Sequence, residues 1–194
     1  AFTLELDASD LAQWAEAGGG EASVEPWPAE AWAPRAIRLG GLGDLSKAER
    51  GVVQAAVDAV VEAHALLAPA GLGAGYRARD EVALFALHAS ETPDTFRTTT
   101  GEPVDPLDLA LFTKLLPRLE GGRAPVREAV LALLGWAVDG TPRREESPAT
   151  ALLDGWEGAG RSDDFPGARF PRTAARLARM ADALLSEGFA SFWT

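Results

Sequence analysis

The chain has 194 residues, of which 47% are hydrophobic, and this is enough for one sizeable core. Eighteen Lys and Arg residues against 29 Asp and Glu give a net charge of −11, which disfavours direct nucleic-acid binding because phosphate contacts need a basic face. The chain has no cysteine, so disulfides, thiolate metal sites and cysteine nucleophiles are excluded. The start AFTLEL has no signal-peptide features, and no apolar run is expected to reach the length of a membrane span. We therefore predict a bacterial cytoplasmic setting with no membrane partner.

Residues 1–45 are predicted to link the chain to something upstream. Phe2, Leu4 and Leu6 alternate with polar residues, which predicts a half-buried strand. A short helix over about 10–17 and a loop over 21–45, rich in Pro and Trp, are expected to follow. A strand with no preceding partner predicts that the chain was cut from a longer protein.

Residues 46–194 are predicted to form a mainly α-helical bundle. Ser46 and Glu49 have the spacing of a capping box and start the first helix, which Pro69 and Gly71 end. Its valines, among them Val57, Val60 and Val61, are expected to face the core with Leu67. Helices are predicted over 47–68, 78–90, 107–119, 126–138 and 172–187, with a short helical piece near 149–158.

The hydrophobic segment over 110–137 contains an abrupt break. Asp105 and Pro106 are typical of a helix start, and Leu107, Leu111, Leu115 and Leu119 form one column along the helix that follows. Pro117-Arg118 and then Gly121-Gly122-Arg123 interrupt the apolar pattern before Val126 resumes it. As a purely structural feature this break predicts an αα-hairpin. The C-terminal FASFW is predicted to be a short extended tail.

The sequence contains no recognisable catalytic or metal-binding motif. The glycine clusters GGLGDLSK and GLGAG do not fit the phosphate-binding pattern GxxxxGK[ST]. His64 and His88 are isolated, and we interpret both as residues at the edge of the core rather than as ligands. We therefore predict no catalytic residue, no metal site and no cofactor held by this chain alone.

Arginines at two predicted helix starts are the best candidates for a binding role. Arg77 and Arg79 follow a glycine turn beside Tyr76, and a guanidinium held at a helix start can be aimed at phosphate. The Tyr76 ring is expected to pack on the core of the bundle. Arg172, Arg176 and Arg179 recur at helical spacing, so they are expected to share one face of the last helix. This face is either a solvated surface paired with carboxylates or a basic ridge at a subunit interface or near a nucleotide.

Three stretches of the sequence resemble the C-terminal part of AAA+ ATPases related to McrB, the nucleotide-hydrolysing subunit of modification-dependent restriction systems. They are GYRARDEVALFAL (75–87), LALFTKLLPRLEGGR (109–123) and FPRTAARLARMADALLSEGFASFW (170–193). Their order and spacing also agree with that family, whereas 21–45 and 139–169 match poorly. The resemblance implies a helical lid, and it implies that the phosphate loop and the magnesium-binding acids lie upstream of Ala1.

In such motors the lid supplies an arginine that senses the phosphates of ATP or GTP with Mg. By position the resemblance implies this role for Arg77, with Arg79 and Arg172 as fallbacks. It also implies contacts with an upstream AAA+ core, neighbouring subunits and a nuclease subunit. Four arginines are the candidates for subunit contacts, namely Arg118, Arg123, Arg176 and Arg179. The alternative function is a stand-alone helical protein-interaction domain with no nucleotide role.

Overall fold

A computed structural model describes residue 36 and residues 38–98 and 100–193. Six α-helices run through this part of the chain, together with one two-stranded antiparallel sheet. The helices are α1 (Lys47–Leu67), α2 (Tyr76–Ala89), α3 (Pro106–Leu115), α4 (Ala124–Asp139), α5 (Glu146–Gly158) and α6 (Pro171–Ser186). The prediction of a mainly α-helical bundle is therefore confirmed. The strand predicted over 2–6, the short helix after it and most of the loop over 21–45 lie outside the described residues.

Five of the helices close into a ring. α1 packs on α2, α2 on α3, α3 on α6, α6 on α4, and α4 again on α1. α5 packs against α4 and α6 on the outside of this ring. All six helices contribute buried apolar side chains to a single core cluster. A displacement of one helix is therefore passed to the others through direct packing.

α1 begins as its capping box predicts, and the predicted face packs on the core at Val57, Val60 and Leu67. The Ser46 side chain accepts a hydrogen bond from the Glu49 amide at 3.2 Å, and the Glu49 carboxylate accepts one from the Ser46 amide at 2.7 Å. The prediction that Val61 faces the core is wrong, because its side chain is 57% exposed. Alanines take most of the contact with the core, since small side chains let α1 approach α2 closely. The buried residues are Ala56, Ala59, Val60, Ala63 and Leu67.

The expectation about membrane-spanning segments also needs correction at α1. With the 3₁₀ turn Ala68–Ala70 that extends it, α1 is long and apolar enough to cross a membrane by length and composition. Core helices of globular proteins pass the same test, and the buried residues of α1 belong to the core cluster.

The leucine column of α3 points inward as predicted. Leu111, Leu115 and Leu119 are at most 2% exposed, while Leu107 at the start of the column is half-buried. Asp105 caps the helix by accepting a hydrogen bond from the Leu107 amide at 2.9 Å, with Pro106 in the first turn. Local capping signals and apolar periodicity were thus sufficient to place this helix.

The break between α3 and α4 is more than a turn between two helices. The chain passes through a 3₁₀ turn, Leu116–Arg118, into strand β1 (Glu120–Gly121). β1 pairs antiparallel with strand β2 (Ala190–Ser191), with Glu120 opposite Ser191 and Gly121 opposite Ala190. The C-terminal tail therefore returns to the break between α3 and α4, and Phe192 just beyond β2 is fully buried.

The start of α6 is joined to α4 and α1 by one polar cluster. The Glu62 carboxylate of α1 accepts hydrogen bonds at 2.8 Å from the Trp136 indole and from the Arg169 guanidinium. Arg169 also lies over the rings of Trp136 and Phe170. Burial raises the pKa of Glu62, but the bonds from Trp136 and Arg169 outweigh it and hold that pKa below its usual value. The cluster fixes the loop that leads into α6.

Candidate functional site

A cleft of about 1110 Å³ opens beside the first turns of α2. Its walls are the start of α2 and the 3₁₀ turn Leu39–Gly41, which is tied to α2 by a hydrogen bond from the Leu39 amide to Asp80 at 3.4 Å. Three arginines face the cleft against two carboxylates, in a chain whose net charge is −11. The lining residues are Arg38, Gly40, Gly41, Tyr76, Arg77, Arg79, Asp80 and Glu81. The cleft is therefore suited to an anion.

The glycine turn before α2 sets Arg77 at the helix start, as predicted. Gly71 adopts a left-handed conformation with φ +76°, which ends the extension of α1, and Gly75 is the N-cap of α2. The Arg77 side chain is 90% exposed, and its Nε donates to the Glu81 carboxylate at 2.8 Å. That single ion pair orients the guanidinium while leaving most of it open to a ligand.

Arg79 and Tyr76 are arranged differently from the prediction. Arg79 donates from Nε and Nη2 to one oxygen of Asp80, at 2.8 and 2.5 Å, and is half-buried. Tyr76 was expected to pack on the core, but it is 81% exposed. The Arg79 guanidinium lies 5.1 Å from the centre of the Tyr76 ring, so the two side chains stack at the mouth of the cleft.

Glu81 connects the cleft to the interior of the bundle. Its second oxygen accepts a hydrogen bond at 2.7 Å from Lys114 of α3, whose side chain is only 10% exposed. The bonds from Lys114 and then from Arg77 lower the pKa of Glu81 to about 2. Arg77, Glu81 and Lys114 thus form one chain of charges that runs from solvent into the α2–α3 interface.

The lowered pKa of Glu81 makes stability depend on pH. A carboxyl group with a lowered folded pKa stabilises the fold above its unfolded pKa, near 4.5, and that contribution is lost as the pH falls towards about 2. We expect the free energy of unfolding to fall more steeply over this range in the wild type than in Glu81→Gln. Urea unfolding at a series of pH values measures this, with Glu128→Gln on an exposed helix face as the control. Parallel pH curves for wild type and Glu81→Gln would refute the ion-pair assignment.

Arg172 lies in the first turn of α6, where Asp108 binds its backbone amide and Asp164 pairs with its side chain. Its backbone N–H donates to Asp108 Oδ2 at 2.8 Å, and the next amide, of Thr173, donates to Asp108 Oδ1 at 3.0 Å. Asp108 belongs to α3 and is 2% exposed, so a carboxylate of one helix caps the start of another. Burial raises the pKa of Asp108, while these hydrogen bonds offset part of that shift. The Arg172 guanidinium pairs through Nε with Asp164 at 3.4 Å.

The three arginines of α6 do not form one exposed ridge. Arg176 is only 7% exposed, and its guanidinium lies 5.0 Å from the centre of the Phe192 ring, so the prediction of a shared exposed face is wrong for this residue. Arg179 pairs with Asp163 on the surface. Arg172 and Arg179 therefore pair with carboxylates of the same chain. This is the arrangement expected if the arginine face is a solvated surface.

Arg118 and Arg123 are exposed at the ends of the β1–β2 ribbon. Arg118 donates to the Gly73 carbonyl at 3.3 Å, and Arg123 is the N-cap residue of α4. Trp193, two residues beyond β2, is also 65% exposed. Their predicted role in subunit contacts stays a prediction.

Sequence reasoning missed Asp108, Lys114 and Glu81 as supports of the arginine sites. Asp108 lies 64 residues from Arg172, and Lys114 lies 33 residues from Glu81, so no local spacing connects the partners. Within the part of the chain that the structure describes, no group of three His, Asp or Glu side chains could hold a metal ion.

Comparison with protein families places most of the chain in one family. Residues 41–189 match a family described as a domain of unknown function (DUF8727), which is most of the chain. The chain belongs to this family, and the matched range nearly coincides with the six helices. Comparison with curated proteins and with solved structures finds no match.

Proposed function

We propose that the chain is the helical lid of an AAA+ nucleotide-driven motor, in which the cleft beside α2 receives the phosphates of ATP or GTP. The observation that carries the proposal is the cleft itself, where Arg38, Arg77 and Arg79 gather on an otherwise acidic chain. A guanidinium offers a planar fork of donors that matches the oxygens of a phosphate. The resemblance of three sequence stretches to McrB-related motors favours a restriction or anti-phage system in the cytoplasm.

Arg77 is the proposed sensor of the phosphates. Its side chain is 90% exposed, and its link through Glu81 to Lys114 joins it to the α2–α3 interface. Because the five ring helices pack directly on one another, a pull on Arg77 would move the bundle as one body. Closure of such a lid would couple the state of the nucleotide to the position of neighbouring subunits.

Every catalytic part would come from outside this chain. The proposal assigns the phosphate loop, the bound Mg and the attacking water to an upstream AAA+ core, and it names neighbouring subunits and a nuclease subunit as partners. Arg118 and Arg123, exposed at the ribbon, and Arg179 on the surface remain candidates for subunit contacts. Arg176 is not suited to such a contact because it is buried within its own chain.

The test compares Arg77→Ala, Arg79→Ala and Arg172→Ala in the parent protein, measuring the hydrolysis rate and the melting temperature together. We expect Arg77→Ala to lose a charge-assisted contact of about 1.5–3 kcal/mol, seen mainly in turnover. Its melting temperature should barely change, because an exposed ion pair contributes little to stability. Arg144→Ala, on an exposed loop, controls for the loss of one positive charge.

The outcomes separate the two arginine sites from each other and from the alternative. Normal hydrolysis in Arg77→Ala with none in Arg172→Ala would move the sensor to the start of α6. Normal hydrolysis in all three variants would refute the lid proposal. It would leave the alternative of a helical interaction domain, which the exposed aromatic side chains favour, namely Tyr76, Phe189 and Trp193.

A further inference from the structure

A second pocket, separate from the α2 cleft, lies beside the start of α6. It encloses about 370 Å³, and it is lined by two arginines and two threonines against an apolar wall. Among the residues that the structure describes, no carboxylate belongs to its lining, although the whole chain carries a net charge of −11. The lining of this pocket includes Thr95, Phe96, Arg97, Thr98, Val104 and Arg172.

Arg172 is pre-organised on one side of this pocket. The two amide bonds to Asp108 fix its backbone, and they also occupy the first free amides of α6, so the helix end itself offers no further donors there. Asp164 approaches Nε of Arg172 at 3.4 Å, and it lines the neighbouring pocket rather than this one. The guanidinium is therefore oriented from one side without being enclosed by a carboxylate.

Arg97 is pre-organised on the other side by the loop between α2 and α3. It donates from Nη1 to the Gly101 carbonyl at 3.0 Å and from Nη2 to Asp94 at 3.2 Å. An isolated bridge between Arg97 and Pro103 closes the loop. Phe96 anchors it by packing edge-on against Phe85, with ring centres 5.6 Å apart. The loop therefore presents Arg97 from a fixed backbone rather than from a free segment.

We propose that this pocket binds a phosphate group between the guanidinium groups of Arg97 and Arg172, with the hydroxyl group of Thr95 as an additional donor. Two arginines and one hydroxyl provide the charge and the donors that a phosphate needs. A pocket of about 370 Å³ admits a phosphate or pyrophosphate group. The acidic surface of the chain favours a free phosphate or a nucleotide over a nucleic-acid backbone. If the bound phosphate belongs to the motor's nucleotide, this inference rests on the proposed function. If the ligand is a free phosphate, the inference is independent of that function.

Titration calorimetry on this chain tests the site, with pyrophosphate, ATP and a short DNA duplex as separate probes. We expect pyrophosphate to bind, and we expect Arg97→Ala and Arg172→Ala each to weaken binding by at least about tenfold, since each removes a charge-assisted contact. Thr95→Val removes one hydroxyl with little change of shape and should weaken binding by a smaller factor. Arg144→Ala, on an exposed loop, should leave pyrophosphate affinity unchanged. Arg77→Ala would weaken binding only if the probe binds in the α2 cleft instead.

The outcomes are distinct from those that test the motor. Tight binding of pyrophosphate or ATP that depends on Arg97 supports the site even if Arg77→Ala hydrolyses nucleotide normally in the parent protein. Binding of the duplex alone would overturn the inference in favour of a nucleic-acid surface. Absence of pyrophosphate binding, equal affinity in Arg97→Ala, or a loss confined to Arg77→Ala would each overturn it. Circular dichroism of every variant checks that its helices are intact.

Discussion

Replacing Asp108 by alanine is expected to destabilise the fold strongly. The carboxylate accepts the amide hydrogens of Arg172 and Thr173, and Thr173 is 1% exposed, so water cannot take its place without opening the bundle. A buried donor left without an acceptor costs about 1–3 kcal/mol, and the change leaves two. The loss would appear as a lower urea midpoint at neutral pH and as early fraying of α6.

Two aspartates provide matched controls for this change. Asp105→Ala removes an exposed N-cap on the same helix and should cost only about 1 kcal/mol. Asp154→Ala lies on an exposed face of α5 and should change stability little. If Asp108→Ala were no more destabilising than Asp105→Ala, the interhelical cap would not contribute to the fold as the geometry indicates.

Gly122→Ala is expected to separate the C-terminal tail from the break between α3 and α4. A Cβ at this position would overlap the backbone carbonyl oxygen of Gly188, and a backbone atom cannot move aside as a side chain can. Overpacking of this kind costs about 1–3 kcal/mol. The cost rises further if the β1–β2 pairing opens and exposes Phe192, which is fully buried in the native fold. Urea unfolding and amide hydrogen exchange at Ala190 and Ser191 measure both effects.

Gly155→Ala is the matched control, because it adds the same methyl group where nothing lies within 4 Å. Gly155 is inside α5, where alanine is favoured over glycine by about 0.5–1 kcal/mol, so this variant should be slightly more stable than the wild type. Equal stability of the two variants would show that the tail does not approach Gly122 closely.

The helices could be predicted because their signals are local. The capping box of Ser46 and Glu49, and the Asp105-Pro106 start of α3, act within one helical turn. The leucines of α3 repeat at the helical period, so their shared face follows from the sequence alone. α1 has nearly its predicted bounds, whereas α3 begins close to the predicted start but ends at Leu115, short of the predicted 119, where the 3₁₀ turn Leu116–Arg118 follows.

The predicted burial of three side chains was wrong, because their burial depends on which other element packs against them. Val61 and the alanines of α1 lie on the same helix, but the close approach of α2 buries the alanines and leaves Val61 exposed. Tyr76 begins a helix whose first turn borders an open cleft, so its ring stacks with Arg79 rather than with the core. Arg176 is buried because the returning tail places Phe192 against it.

The sequence by itself determined the helical class, the approximate helix starts and the position of Arg77 and Arg172 at two of them, because caps, prolines and apolar periods act over a few residues. The pairing of Arg77 with Glu81 is also local, since the two lie four residues apart on α2. Only the tertiary structure decided which distant groups support these arginines. Glu81 meets Lys114 across 33 residues, and Asp108 meets Thr173 across 65 residues. Such partners leave no periodic trace in the chain, since a single carboxylate can lie anywhere in the sequence as long as packing brings it to the site. The pairing of Glu120 with Ser191 was decided in the same way, because backbone hydrogen bonds between two-residue strands place almost no demand on side-chain identity.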